Sequence, residues 1–179
     1  MSEQALYIHE ETLQKHAYIL LCQLMSMHDI ENLAYYPGCH DAVASLMATG
    51  EPELNRNIMS LAALARANDD SRDGLKTHLA ENPAGVGTLT RNEKSEILSA
   101  REACNKIIHN TSVRLTFETT VEHPLYAEAY RQNKIDDDRE YRVPYLAIAG
   151  KGQGEGGKPW VARVDLIKWI FATALFGAA

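Results

Sequence analysis

Apolar residues in the first half of the chain recur every three to four positions, the spacing of one face of an α-helix. Leu13, Ala17, Leu20, Leu24 and Met27 make such a face, and Ile19, Cys22 and Met25 widen it. This pattern predicts a long, mostly buried helix from about Glu10 to Leu33, ended by Tyr36-Pro37-Gly38. His40–Thr49 reads as a short helix closed by Gly50. Pro52 then suits the first turn of another, in which Leu54, Ile58, Leu61 and Ala65 share a face. Asn68-Asp69-Asp70-Ser71 reads as its break, and Arg72–Gly87 as a short helix and a loop. Thr90 and Glu93 have capping-box spacing, which predicts one continuous helix Thr90–Asn110 with Ile97, Cys104, Ile107 and Ile108 buried.

Past Asn110 the period changes to two. Val113, Leu115 and Phe117 alternate with polar residues, and Val143–Ala149 and Trp160–Val164 read as further strands joined by a glycine-rich tip, Gly150–Gly157. Glu118–Glu140 is charged and irregular, with Asp136-Asp137-Asp138 expected in a solvated loop. Asp165 can cap a closing helix, Leu166–Phe176. The fold class expected is mainly α. A bundle of four to five helices over residues 1–111 is followed by a small C-terminal antiparallel sheet and closing helix over 112–179, all in a single domain.

With 179 residues and 45% hydrophobic content, the chain can bury one core. Cys22, Cys39 and Cys104 are odd in number and show no paired spacing, and no apolar leader precedes the first helix. Free thiols and a cytoplasmic location are therefore expected. The apolar run Ala17–Met27 is too short for a bilayer and is interrupted by Gln23 and Ser26, so no membrane association is expected. A net charge of −6 argues against a broad nucleic-acid-coating surface but leaves room for a small basic cleft.

The segment KGQGEGGK lacks the Gly-Lys-Ser/Thr of a nucleotide loop and enters a strand at Lys158-Pro159-Trp160. Seven histidines and three cysteines show no Cys-x2-Cys or His-x3-His spacing, so neither a cofactor nor a metal is expected. A cysteine–histidine nucleophilic pair stays open, because such partners meet only in space.

The candidate chemistry lies in Arg101, Asn105 and His109, four apart on the predicted helix and stacked on one side beside its apolar stripe. A guanidinium, an amide and an imidazole in line can hold a phosphate and move a proton. His109 falls in the last turn, where the negative end of the helix favours imidazolium. Lys94 and Leu98 extend the row, and a second helix could pack on this strip, placing Leu98, Arg101 and Asn105 at a homodimer boundary. The structural alternative gives Asn105 and His109 to backbone groups and pairs Arg101 with an acid.

A helical bundle whose late helix carries Arg, a polar residue and His resembles the HEPN superfamily. The motif of that family is Arg followed four to six residues on by His; here seven residues separate Arg101 from His109. The resemblance implies a helical, dimeric, metal-independent endoribonuclease of a toxin or antiviral defence system, with RNA as substrate and Arg101, Asn105 and His109 as catalytic residues. It equally admits a non-catalytic interaction module, such as an immunity or antitoxin protein or a defence-complex subunit, acting on a partner protein. The segment REACNKIIH, with the Lys-Pro-Trp hairpin and Asp165-Leu166 behind it, is also similar to small bacterial proteins of the same layout, and that likeness implies no activity.

Overall fold

Two long helices carry the apolar stripes read from the first half of the sequence. They are α1 (Glu10–Asn32) and α2 (His40–Arg72), joined through a 3-10 turn at Leu33–Tyr35. The computed structural model describes residues 10–120, 141–152 and 157–174. Arg72 at the end of α2 pairs with Glu10 at the start of α1 at 3.1 Å, and Asn57 donates to Gln23 at 2.9 Å, so the helices run antiparallel. Leu13, Ala17, Leu20 and Leu24 of α1 meet Leu54, Ile58, Leu61 and Ala65 of α2 in one core cluster.

α2 does not end at Gly50. It runs through Gly50 and Pro52, where the sequence predicts a helix stop and a helix start. Ala48, Gly50 and Pro52 are all exposed, so water can take the carbonyl that proline's missing N–H releases. Nor do Asn68 and Asp69 break the helix. Both lie inside it, fully buried, and the end comes after Arg72 with Asp73 in a left-handed conformation.

α3 (Gly74–Glu81) leads into a hairpin, β1 (Gly87–Arg91) and β2 (Lys94–Leu98), and then α4 (Ala100–Ile108). The continuous helix expected over Thr90–Asn110 is therefore wrong in its first half. Arg91 pairs with Lys94 across a two-residue loop, and Asn92 and Glu93 both have positive φ (48° and 64°), the signature of a type I′ turn. Only Leu89 and Leu98 of the hairpin turn inward; Ile97, expected in the core, is 58% exposed. Thr90 and Glu93 flank a turn rather than cap a helix. The true cap is Ser99, whose hydroxyl accepts the Glu102 N–H at 3.1 Å. Burial of Cys104 and Ile107 holds as expected, and Ile108 is half-buried against the same core.

The remaining strands are β3 (Ser112–Thr120), β4 (Tyr141–Lys151) and β5 (Pro159–Asp165), followed by α5 (Leu166–Ala174). The Asp165 carboxylate accepts the Lys168 N–H at 3.0 Å and caps α5 as its position suggests. The loop containing Asp136-Asp137-Asp138 and the centre of the glycine-rich tip lie outside the described residues. All five strands join one antiparallel sheet in the order β2-β1-β5-β4-β3. This corrects the expectation of a mainly helical bundle with a small C-terminal sheet. The sheet is sizeable, and β1 and β2 enter it from the half expected to be purely helical, so no division falls at residue 111.

Leu89, Leu98, Leu146, Ile148, Trp160, Ala162 and Val164 turn to the covered face of the sheet. α4 and α5 pack on that face, with α2 against α4 and α1 against α5. α5 is consequently apolar almost all round, with Leu166, Ile167, Trp169, Ile170 and Ala172 buried. Among the described residues no helix is long and apolar enough to cross a membrane. Glu93, at positive φ in the turn, carries a conformational cost that a glycine would not. Glu93→Gly is expected to raise stability by about 0.5–1 kcal/mol in urea unfolding, because glycine removes the cost of positive φ. In a helix the same change would lower it by a similar amount.

Candidate functional site

α4 is short, and its two sides serve different ends. Ala100, Ala103, Cys104 and Ile107 are buried, while Arg101 and Asn105, one turn apart, face the end of α2. There α2 presents Arg66, Asp69 and Asp70. Arg66 Nε donates to Asn105 Oδ1 at 2.9 Å, and its NH1 donates to Asp70. Arg101 NH2 reaches Asp70 at 3.0 Å, and its NH1 pairs with the buried Asp69. Asn105, Arg66, Asp70 and Arg101 thus form a continuous network of side chains between two helices. The other Asp69 oxygen accepts the Leu75 N–H of α3 at 2.8 Å. Fully buried Asn68 stands beside this network with neither side-chain polar atom hydrogen-bonded among the described residues.

Arg101 therefore pairs in charge with two carboxylates, the role anticipated by the structural alternative, although its contact with Asp69 is an ion pair without a hydrogen bond. It does not line the adjoining cavity. Leu98 is fully buried within the chain and belongs to β2, so Leu98, Arg101 and Asn105 do not form a surface strip for a second subunit. Lys94 likewise sits in β2, outside the helical row. His109 is the C-terminal cap of α4, its N–H bonded to the Asn105 carbonyl at 3.0 Å, and its side chain is exposed.

Asn105 and His109 meet at a different place, a polar cavity of about 350 Å³ between α2, α4 and the β4–β5 hairpin. Among the described residues, Arg66, Lys106 and Lys151 bring three cations to it against one carboxylate, Glu102, and Gly152 and Trp160 complete the wall. Lys106 lies 3.1 Å from Glu102 and 4.5 Å from the centre of the Trp160 ring. The ring also packs closely on Gly150, where a Cβ would collide with the indole. Trp160 is only 5% exposed, so it offers little surface for a stacked base. The cavity is built for charge.

Burial pushes the Glu102 carboxyl up, but Lys106, Arg91 and the Asn105 amide outweigh burial and leave it below the ordinary carboxylate value. Its bridges to Lys106 and Arg91 thus stabilise the fold above the carboxylate range and lose that effect as pH falls through the lowered value. Cys104 is the reverse case. Burial pushes its thiol up to about 12, only partly offset by the Trp169 N–H at 3.4 Å. A buried thiol of this kind is no nucleophile, which removes Cys104 from any cysteine–histidine pair. Among the described residues no group of three or more His, Cys, Asp or Glu side chains could hold a metal ion. No known protein-family pattern, curated protein or solved structure matches this chain.

Sequence reasoning found Asn105 and His109 but missed Arg66, Lys106, Lys151 and Trp160. Glu102, Lys106 and His109 were legible as a second row at spacings of four and three on the same helix. Arg66 and Lys151 come from distant segments and left no local signal. Two outcomes check this geometry. Arg101→Ala leaves Asp69 buried without its partner and is expected to lower stability by about 3 kcal/mol in denaturant melts. Iodoacetamide should modify exposed Cys22 in the native protein and reach Cys104 only on unfolding; rapid native labelling of Cys104 would contradict its placement.

Proposed function

We propose that the basic cavity binds the phosphate backbone of RNA and that the protein cleaves it as a metal-independent ribonuclease through His109. The observation that carries this reading is the grouping of three cations with an exposed imidazole in one polar cavity. Its volume falls near the lower end of the roughly 300–1,000 Å³ usual for small-ligand sites, enough for a short stretch of sugar and phosphate. The burial of Trp160 favours contact with the backbone over the bases.

In this reaction the 2′ oxygen attacks the adjacent phosphorus while His109 takes its proton. The bond to the 5′ oxygen then breaks, and the imidazolium returns the proton to that leaving oxygen. Lys106 and Lys151 offset the charge that accumulates on the phosphorane. The products are a 2′,3′-cyclic phosphate and a 5′-hydroxyl. Arg101 plays no direct part and holds α2 to α4.

A second reading, an RNA- or phosphate-binding module without cleavage, is favoured by one observation. Among the described residues His109 is the single imidazole on the cavity wall, and the one carboxylate there is committed to Lys106. Incubating a mixed RNA pool with the protein in EDTA separates the two. Cleavage ending in cyclic phosphate, reduced about 10²–10⁴-fold in His109→Ala at unchanged melting temperature, supports the enzyme. Intact RNA retained by the wild-type protein, and released by Lys106→Ala, supports the binding module. RNA neither bound nor cut overturns both.

A further inference from the structure

We infer that Arg66 is the guanidinium that meets the phosphate, and that Asn105 and Asp70 are positioning residues that aim it; this rests on the cavity being an RNA-backbone site. Arg66 carries five N–H donors in a rigid plane. Nε is taken by Asn105 at 2.9 Å and NH1 by Asp70, from two different helices. Among the described residues no hydrogen bond or ion pair takes NH2. The side chain lines the cavity and is three-quarters covered, at 25% exposure, so its orientation is fixed while one end stays open.

Two anchored nitrogens leave the guanidinium no free rotation about its own plane. The third then presents its donors without the ordering cost that a flexible lysine would meet. Arg101 cannot do this, since its two terminal nitrogens are taken by Asp69 and Asp70. Asp70 belongs to both arginines and sets their separation. The network therefore gives its two guanidiniums different roles, with Arg101 holding the helices together and Arg66 facing the cavity. Lysine at position 66 would keep the charge but could not bond Asn105, Asp70 and a ligand in one plane.

The test is equilibrium binding of a fluorescent uridine decanucleotide in EDTA across a salt series, with His109→Ala as the background so that the probe stays intact. Arg66→Ala is expected to weaken binding at least about tenfold and to reduce the salt slope by about one. Arg66→Lys is expected to recover little of the affinity. Arg163→Ala, on the opposite face of the sheet, serves as the control for simple loss of charge and should bind as the parent does. Asn105→Ala is expected to weaken binding severalfold when Arg66 is present and not at all in the Arg66→Ala background, a coupling that a purely structural amide would not show. Melting temperatures on the same samples identify any variant that fails to fold, and for such a variant Arg66→Gln replaces alanine.

A parent protein that binds the probe while Arg66→Ala binds it equally well overturns the inference and leaves the RNA reading standing. Equal losses in Arg66→Ala and Arg163→Ala overturn it as well, by showing a non-specific charge effect. Additive losses for Asn105 and Arg66 overturn the positioning role of Asn105. A parent that does not bind the probe at any salt concentration overturns the RNA reading and the inference together.

Discussion

A carboxylate buried at the end of α2 must be paired, and much of the arrangement around the cavity answers that requirement. Asp69 is fully inaccessible to solvent. An ionised group in that position costs several kcal/mol unless charge and hydrogen bonds compensate it. One oxygen accepts the Leu75 N–H in the first turn of α3 and the other meets Arg101 of α4, so a single side chain fixes three helices at once. The neighbouring Asp70 receives both Arg101 and Arg66, and through Arg66 the network reaches Asn105. The wall of the cavity is the outer edge of this structural knot.

The knot also explains why Arg101 does not line the cavity. Arg101 stands in the row with Asn105 and His109, and by spacing alone it is the natural phosphate clamp. Burial of Asp69 claims it first, because an unpaired buried acid is worse for the fold than an unoccupied surface site. The cations left facing the cavity are those whose partners are not fully buried. Arg66 shares the open Asp70, Lys106 shares Glu102, and Lys151 stands at the end of β4. Positive potential thus collects at one place on a chain whose total charge is −6.

The sheet contributes through close packing at one position. Trp160 can pack closely on β4 because residue 150 is glycine, and the Lys106 ammonium lies over its ring. The indole is then a rigid floor that holds a cation over the cavity. Rotation of α4 relative to the hairpin would separate Lys106 from Trp160 and scatter the lining groups. The packing of α4 between the sheet and α2, with Cys104 against Trp169, resists that movement.

By itself the sequence determined the elements that rest on long or clean periodicity. The stripe from Leu13 to Met27, the stripe from Leu54 to Ala65, the strand at Val113–Phe117 and the Asp165 cap appear where the pattern puts them. α1 is not mostly buried, however, since Ile19, Cys22 and Met25 are exposed. Asn105 and His109 were legible as candidates for the same reason, since helix spacing puts them near each other. What failed was local punctuation. Gly50 and Pro52 weaken α2 without ending it, since the exposed carbonyl can turn to water and Leu54, Ile58 and Leu61 pack the following turns. Thr90 through Glu93 suits a cap or a turn equally until β5 offers β1 a partner. Only tertiary structure decided that β1 and β2 join the sheet, that Arg101 serves Asp69, and that Arg66, Lys106 and Lys151 share a cavity. These outcomes depend on contacts between residues tens of positions apart, and no short-range pattern encodes which buried charge will claim which arginine.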